Sequence, residues 1–322
     1  MKILLTGAGG AAAISVWKSL NTIHTLYMAD IDPCAAGLYL VPALQRIILP
    51  KGDAKDYVEN VLHVCEKFKI NLIIPTVDIE LIPLSIAYEK FEKLKIFLPL
   101  SPVSVLKCCY DKYALLNQCK NKIPIPESLL LTDENKKLIN TFPKFAKPRV
   151  GAGSAGIYLI KNFKDLENLP MDGSYLIQEW LPGDEFSVDV YINSQGKALV
   201  SVPRIRMKID SGVAVAARTQ HNTALSLLAI EVAKVVGILY VANIQFKRAV
   251  DGTLKLLEIN PRFPGTLPLT AAAGIDIPQL LIKDLKNETL PNDLLPFNEI
   301  MVVRYWTEHF CSIAEWEALC LK

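Results

Sequence analysis

The chain has 322 residues, of which 51% are hydrophobic and 21% charged, a balance that predicts buried cores and excludes an intrinsically disordered protein. Thirty-five Lys and Arg residues against 33 Asp and Glu give a net charge of +2, which is too balanced for a protein that coats nucleic acid. The length favours two or three domains.

Membrane and disulfide classes are also disfavoured. The longest apolar runs stop well short of the roughly 18–20 residues that a membrane-spanning helix needs. The apolar stretch after Met1 is too short for a signal peptide, so we expect a cytoplasmic protein with no membrane partner. The seven cysteines show no C-x-x-C spacing, which favours buried reduced thiols over disulfides or a zinc site.

Short apolar runs alternate with amphipathic stretches through the first hundred residues. The pattern predicts strands at 3–5, 25–29 and 72–75 and helices at 12–20 and 57–68. Strands that alternate with helices form a parallel sheet with right-handed crossovers. The first part is therefore expected to be an α/β domain, and the prolines at Pro99 and Pro102 mark its end.

The rest of the chain predicts an α+β architecture with antiparallel hairpins instead of a second doubly wound sheet. The Asp251-Gly252 turn between strands at 243–248 and 254–259 is typical of a hairpin. The other expected elements are helices at 103–121, 224–236 and 278–285 and strands at 175–179, 186–192 and 301–306.

A glycine motif follows the first predicted strand. Residues 7–12 read G-x-G-x-x-A, and Asp30 and Asp32 lie about twenty residues further on, where a ribose-binding acid stands in dinucleotide-binding domains. The motif alone indicates an NAD enzyme. Small residues here could equally serve close packing of the first helix on the first strand, and both interpretations stay open.

A second glycine-rich segment, at 145–157, carries Lys147 at the end of a predicted strand and then three glycines in six residues. Glycines let the backbone N–H groups approach a polyphosphate, and a lysine adds a compact positive charge. The lysine precedes the glycines, so this is not the phosphate-binding loop G-x-x-x-x-G-K-[ST]. A flexible turn is the alternative.

Two further segments carry oxygen ligands. A Pro-Gly bend at 182–183 separates Glu179 from Glu185. Main-chain N–H and C=O groups at the bend could bind the edge of a purine, and the carboxylate of Glu185 could accept hydrogen bonds from a ribose diol. Glu258 and Asn260 stand two apart on one strand face, followed by Arg262, and the hairpin brings Gln245 to the same side.

Carboxylate and amide oxygens bind Mg²⁺ together with phosphates, so Gln245, Glu258 and Asn260 indicate a magnesium site. The alternative is a structural ion pair between Glu258 and Arg262. A row of cations at Arg204, Arg206 and Lys208 shares one strand face, where it forms a solvated edge or an anion clamp.

Taken in order, these motifs resemble the ATP-grasp superfamily, above all single-module proteins similar to the carbamoyl-phosphate synthase large subunit and the carboxylate–amine ligases. The resemblance runs from about Lys2 to Asp276. It rests on the glycine motif at the N-terminus followed by Asp111-Lys112, AKP…GxGSxG, QEWLPGDEFSVD, NIQF and EINPR.

The resemblance implies a fold and a domain division. The fold is α/β, a Rossmann-like parallel-sheet pre-domain followed by a two-lobe α+β ATP-grasp domain. The expected boundaries are 1–105 for the pre-domain, 106–178 for the N-lobe with its glycine-rich lid, 179–290 for the C-lobe with the Mg-ATP site and 291–322 for a C-terminal strand and tail. In this family the N-terminal domain is structural, which weakens the NAD interpretation.

The resemblance also implies roles in ATP binding. Lys112 and Lys147 would contact the phosphates, with Lys147 also near the adenine. The loop that closes over the phosphates would contain Gly151, Gly153, Ser154 and Gly156. The adenine edge would meet Glu179, Trp180 and Leu181, largely through main chain, and Glu185 would bind the ribose.

Metal and catalytic roles follow in the same way. Gln245, Glu258 and Asn260 would hold one or two Mg²⁺ ions, with Mn²⁺ as an alternative metal. Arg262 and Lys147 would act on the transferring phosphoryl group. Many carboxylate–amine ligases have an acid where Gln245 stands, which would weaken the second metal site.

The expected function is ADP-forming ligation of a small carboxylic acid to an amine through an acyl phosphate. The alternatives are a carbamoyl-phosphate synthase-like phosphorylation of bicarbonate or carbamate and, from another class, an NAD(P)-dependent oxidoreductase. Substrate residues do not transfer between subfamilies, so Asp78, Glu80, Arg204 and Arg206 are guesses for the pocket wall. The partners expected are small molecules, and a homodimer is left open.

Overall fold

The computed structural model describes residues 1–151, 156–210 and 212–321, which form three β-sheets with helices packed against them. The N-terminal sheet is parallel throughout, as the sequence predicts, in the order β3-β2-β1-β4. Its elements are β1 Lys2–Thr6, α1 Ala11–Leu20, β2 Thr25–Asp30, β3 Arg46–Ile48, α2 Tyr57–Phe68, β4 Leu72–Ile74, α3 Asp78–Ile86 and α4 Tyr88–Lys93.

Both faces of this parallel sheet are buried. Ile3 and Leu5 of β1 point into the cluster that contains residues of α1, whereas Leu4 points into the cluster that contains residues of α2. All three side chains are fully buried. A sheet covered on both faces explains why the strand is a continuous apolar run instead of an alternating one.

Two short helices, α5 Val103–Tyr110 and α6 Lys112–Cys119, follow the N-terminal sheet. The sequence predicts one helix over 103–121, and the structure corrects this prediction. Asp111 is extended, and its carboxylate accepts hydrogen bonds from the N–H groups of Tyr113 at 3.0 Å and Ala114 at 3.2 Å. Asp111 therefore ends one helix and caps the next.

A four-stranded sheet comes next, in the order β5-β8-β6-β7, with every pair antiparallel. It has a small core of its own, in which Leu131, Ala146 and Ile177 are buried. Its strands are β5 Ser128–Thr132, β6 Lys144–Pro148, β7 Tyr158–Ile160 and β8 Asp172–Glu179.

A six-stranded antiparallel sheet follows, in the order β13-β12-β9-β10-β11-β14. The predicted hairpin is confirmed, and its register places Gln245 opposite Glu258. The final strand is three residues shorter than predicted. The elements are β9 Glu185–Ile192, β10 Ala198–Asp210, β11 Val213–Thr219, α7 Thr223–Val236, β12 Tyr240–Arg248, β13 Leu254–Asn260, α8 Leu267–Ala272, α9 Ile277–Leu285, β14 Met301–Val303 and α10 Ile313–Cys320.

Alternation along β9 and β12 separates the two faces of this sheet. Val188 and Val190 of β9 and Ile244 of β12 lie in the core cluster that also contains the buried residues of α7. Their neighbours Ser187 and Gln245 line cavities on the opposite side. Because side chains point to opposite faces in turn, one face forms this apolar core, whereas the other carries the polar side chains that line the cavities.

The C-terminal segment returns to the N-terminal domain. Leu319 of α10 is 2% exposed and belongs to the same core cluster as the residues of β1 and α1. Glu315 forms an ion pair with Arg46 at 2.6 Å. Among the described residues, no helix combines the length and the apolar character that crossing a bilayer requires.

The contact of α10 with the core generates a stability prediction. Leu319→Ala should lower the free energy of unfolding by about 2–5 kcal/mol, because it removes a buried side chain and leaves a cavity. Leu321→Ala is the matched control, since Leu321 is 90% exposed on the same segment. Urea unfolding of both variants is the measurement, and equal midpoints would show that α10 does not contribute to the core.

Candidate functional site

A cleft lies between the four-stranded sheet and the six-stranded sheet. We call it the central cavity. Strands β6 and β8 line it from one side and β9, β10, β12 and β13 from the other. The lining residues are Lys112, Phe145, Lys147, Pro148, Gly151, Ile157, Gln178, Glu179, Leu181, Glu185, Arg206, Gln245, Lys247, Leu257 and Glu258.

Two lysines and one glutamate meet in the central cavity. The ammonium group of Lys112 lies 3.9 Å from the carboxylate of Glu258 and donates a hydrogen bond to the carbonyl of Gly151 at 2.5 Å. The Lys147 ammonium is 3.4 Å from the carbonyl of Leu257. Both lysines are less than a tenth exposed. Two buried cations around one anion leave a local positive charge that suits a bound anion.

The pKa of Lys147 shows the cost of this burial. The pKa falls to about 8, mainly because the ammonium loses hydration; the neighbouring charge of Lys112 also lowers it, and the carboxylate of Glu258 opposes both effects. A negative ligand between the two lysines would favour their charged forms and raise this pKa.

Asp111 joins α6 to the strand that carries Lys147. Its carboxylate accepts from the Arg149 guanidinium in a bidentate pair, with Nε 2.8 Å from Oδ1 and Nη2 2.5 Å from Oδ2. The N–H of Lys112 donates to the carbonyl of Arg149 at 3.0 Å. Burial alone would raise the pKa of Asp111, but the bonds from Arg149 and from the α6 backbone lower it below its ordinary value. These contacts hold Lys112 at the edge of the cleft.

Glu258 also lines two further cavities. The first, which we call the polar cavity, includes Arg206, Gln245, Asn260 and Arg262 in its wall. The second, which we call the apolar cavity, lies between α3, α5 and the end of β13. It is lined by Val77, Asp78, Ile79, Leu81, Ile82, Leu106, Cys109, Tyr110, Lys112, Gly151, Glu258, Ile259, Asn260 and Pro261.

The predicted metal ligands share one side of the hairpin. Gln245, Glu258 and Asn260 all line the polar cavity. The amide oxygen of Gln245 accepts from Arg206 at 3.1 Å, and that of Asn260 is 3.4 Å from the Arg262 guanidinium. Within 1–151, 156–210 and 212–321 there is no group of three His, Cys, Asp or Glu side chains that could enclose a metal. One carboxylate with two amides fits Mg²⁺ only if phosphate oxygens complete its coordination.

Arg262 is held by the N-terminal domain. Asp78, the first residue of α3, accepts from its Nε at 2.9 Å and from its Nη2 at 2.8 Å. The two residues are 184 positions apart in the chain. This bidentate pair fixes the guanidinium beside the polar and apolar cavities.

Two of the four residues guessed for a pocket wall lie elsewhere. Arg204 is fully buried below the cleft floor, where it pairs with Asp189 and donates to the carbonyl of Thr266 at 3.0 Å. Glu80 is buried in the N-terminal domain, where four hydrogen bonds, two of them from Thr6 and Tyr57, hold its carboxylate. Burial raises the pKa of Glu80. Both side chains are engaged in structural pairs.

Of the remaining predicted residues, some line the central cavity and others do not. Trp180 is 40% exposed and does not line the central cavity, unlike its neighbours Glu179 and Leu181. The carboxylate of Glu185 faces the cavity but forms an ion pair with Arg206. Gly156 is described and has a positive φ of 71°, whereas Gly153 and Ser154 lie outside the described residues.

Several lining residues escaped the sequence reasoning. Phe145, Gln178, Lys247 and Leu257 line the central cavity, and the Lys247 ammonium lies 5.8 Å from the centre of the Phe145 ring. Lys247 follows Gln245 by two positions on β12, so strand alternation could have found it. The other three depend on how the two sheets face each other.

The N-terminal glycine motif lines a cavity of its own, and its residues also contact one another closely. The Asp30 carboxylate accepts from the N–H of Gly9 at 2.7 Å and from that of Ile31 at 2.8 Å, so it closes its own turn. Gly7 has a φ of 67°, and a Cβ there would lie 2.4 Å from a methyl group of Val77. These contacts explain the small residues by close packing, and a dinucleotide site at the motif stays a prediction.

Comparison with known proteins matches two parts of the chain to families. Residues 172–309 match the family described as ATP-grasp in the biosynthetic pathway with Ter operon, and residues 3–98 match the PylC-like N-terminal domain. The chain contains an ATP-grasp domain.

Solved structures share the fold of this chain. N5-carboxyaminoimidazole synthetase from Staphylococcus aureus, complexed with ADP, superposes with a TM-score of 0.75 at 16% identity, over 93% of this chain and 81% of that one. Biotin carboxylase from Campylobacter jejuni superposes with a TM-score of 0.72 at 18% identity, over 90% of this chain and 72% of that one. The expected fold class is confirmed.

Curated relatives of the ATP-grasp domain include D-alanine–D-alanine ligases. The enzyme of Pelagibacter ubique is 30% identical over 205 residues, which are 59% of this chain and 62% of that protein. The enzyme of Thermotoga sp. is 26% identical over 105 residues, which are 31% of this chain and 35% of that protein. The chain therefore spans about a third of the length of this relative. The nearer likeness to carbamoyl-phosphate synthase stays a prediction.

The double role of Asp111 generates a prediction that separates its two contacts. Asp111→Ala should destabilise the protein by about 1 kcal/mol through loss of the helix cap alone. Asp111→Asn retains a capping oxygen and loses only the charge that pairs with Arg149, so it should be the more stable of the two. Urea unfolding compares them, and an alanine variant as stable as wild type would contradict the capping role.

Proposed function

We propose that the protein is an ATP- and Mg²⁺-dependent ligase that activates a small carboxylic acid as an acyl phosphate for attack by an amine and releases ADP. The observation that carries this proposal is the convergence of Lys112 and Lys147 on Glu258 in the central cavity. A buried positive site beside a metal-ligating carboxylate suits a triphosphate that carries Mg²⁺.

The adenosine half of ATP fits the rest of the central cavity. Phe145, Ile157 and Leu257 supply apolar surface on which a purine could lie. The main chain near Glu179 and Leu181 would meet the adenine edge. The Glu185 carboxylate would accept from the ribose hydroxyls while it keeps part of its ion pair with Arg206, since a carboxylate has several acceptor positions.

Gln245, Glu258 and Asn260 would hold the metal together with phosphate oxygens, and Glu258 is the anionic member of this set. When bound, Mg²⁺ would supply positive charge that stabilises the negative charge on the phosphoryl group in the transition state. The number of ions is part of the proposal, and the neutral Gln245 favours one strongly held ion.

The protein groups then act on phosphoryl transfer. A carboxylate oxygen of the acid attacks the γ-phosphorus, the bond from that phosphorus to the bridging oxygen breaks, and ADP leaves with the electron pair. Lys112, Lys147 and Arg262 offset the negative charge in this step. The amine nitrogen then attacks the acyl carbon, inorganic phosphate leaves, and the amine loses a proton. Holding the reactants together can remove about 7–11 kcal/mol of barrier.

The N-terminal domain has a place in this proposal. Asp78 positions Arg262 across the domain interface, so that the region expected at 1–105 would complete the site built by the regions expected at 106–178 and 179–290. The cleft would have to exclude water before the reaction, because an acyl phosphate hydrolyses in water.

The role of Glu258 can be tested by substitution. Glu258→Gln should lower kcat for ADP formation about 10²–10³-fold, because it removes the anionic metal ligand and preserves the shape. Glu288→Gln is a control at an exposed position away from the cleft. Full activity of Glu258→Gln would remove the proposed metal site.

The products and ligands distinguish the alternative reactions. Chromatography should detect ADP and phosphate, whereas AMP with pyrophosphate would reject the acyl-phosphate route. Mg-ATP should raise the melting temperature and NADH should not, since a ligand stabilises only the protein that binds it. ADP formation that needs only bicarbonate and ammonia would instead favour the carbamoyl-phosphate alternative.

A further inference from the structure

The apolar cavity has two kinds of wall. Where it adjoins the central cavity, its lining includes Lys112 and Glu258, the groups that the proposed function places at the phosphates. Elsewhere, α3 and α5 supply apolar side chains, of which Leu81 and Leu106 are buried and Ile82 is partly buried. A group seated here would therefore lie beside the reacting atoms but in apolar surroundings.

Asp78 and Arg262 stand at the boundary between the apolar and polar cavities. Asp78 lines the first and Arg262 the second, and Asn260 lines both. Their side chains remain about a fifth exposed, at 21% and 19%. The bidentate pair uses only part of the acceptor capacity of the carboxylate, which has about four lone-pair positions. A small molecule at this boundary would meet an anion and a cation side by side.

An α-amino acid matches this arrangement, because its head group carries an ammonium and a carboxylate on one carbon and its side chain leaves in a third direction. We propose that the acid activated by this enzyme is an α-amino acid with an apolar side chain. Its ammonium binds Asp78, its carboxylate lies beside the Arg262 guanidinium, and its side chain occupies the apolar cavity. The inference rests on the proposed function, which leaves the acid unspecified.

Charge and hydration support an apolar side chain over a charged one. Apart from Asp78, which the amino group would occupy, the lining side chains of α3 and α5 carry no charge, so a charged side chain would lose its water without gaining an ionic partner there. An aliphatic or aromatic side chain would instead bury apolar surface against Ile82 and Leu106. The apolar cavity thus predicts which amino acids are activated, and Asp78 predicts that the amino group is required.

Hydroxylamine can replace the unidentified amine in a direct test, since it converts an acyl phosphate to a hydroxamate. Wild-type enzyme with Mg-ATP and hydroxylamine is given both enantiomers of valine, leucine, isoleucine and phenylalanine and, separately, of glutamate and lysine. At least one apolar amino acid should give hydroxamate at ten or more times the rate of either charged one. Equal or faster reaction with a charged amino acid would overturn the inference.

Two substitutions one turn apart on α3 test the cavity. Ile82→Asp should raise KM for the preferred amino acid at least tenfold and leave KM for ATP within about twofold, since specificity for one methylene already reaches about tenfold. Ile86→Asp is the matched control, because Ile86 is 66% exposed on the same helix and does not line the cavity. Should Ile82→Asp fail to fold, Ile82→Ala is measured in the same way. Unchanged KM in the folded variant contradicts the assignment.

The role of Asp78 is tested through a ratio of substrates. Wild type should use leucine with a kcat/KM at least tenfold above that of 4-methylpentanoate, which lacks only the amino group; any other preferred amino acid is compared with its own deaminated acid. Asp78→Asn should lower that ratio about tenfold. A merely structural role would change both substrates alike and leave the ratio intact, which would overturn the ammonium assignment.

The outcomes also separate this inference from the function on which it rests. If Mg-ATP stabilises the protein and an acid outside the apolar class gives hydroxamate, the ligase proposal stands and the amino acid assignment fails. If Mg-ATP gives no stabilisation and no acid gives hydroxamate, both fail.

Discussion

The alternation of side chains across the six-stranded sheet is the constraint on which the rest of the structure depends. One face must be apolar, because α7 packs on it, and Val188 and Ile244 satisfy that need. The other face is then free to carry charge, and it places Glu185, Gln245 and Glu258 toward the four-stranded sheet. The stable core and the reactive cleft are thus two sides of one sheet. A slip of one residue in register would exchange them.

The buried cations in and around the cleft fall into two groups that differ in their partners. Arg204 is matched by Asp189 deep in the structure, so it stabilises the sheet and offers little to a ligand. Lys112 and Lys147 share Glu258 between them, and the lowered pKa of Lys147 reflects the loss of hydration. Because buried charge without a full partner is unfavourable, these lysines gain most from a bound triphosphate.

Local patterns were enough to predict the parallel N-terminal sheet and the β12–β13 hairpin, since periodicity and the turn at Asp251-Gly252 are properties of short segments. The break at Asp111 was missed although Asp is a common N-cap, because the helical spacing continues on both sides of it; only its pair with Arg149, 38 positions away, lay beyond local patterns. The burial of Arg204 was missed because it depends on how β10 pairs with β9. Grouping of the proposed metal ligands followed from strand spacing, whereas the apolar wall of the cleft required the packing of two sheets.

The central claim is that one triphosphate lies between the two sheets and touches cations from both sides. A crystal structure with Mg²⁺ and a non-hydrolysable ATP analogue tests it most directly. We expect phosphate oxygens within about 3.2 Å of the Lys112 and Lys147 ammonium groups, with the metal bound by Glu258. A nucleotide bound instead at the Gly7–Gly10 motif, or one that contacts Lys147 while Glu258 faces a separate space, would contradict the account.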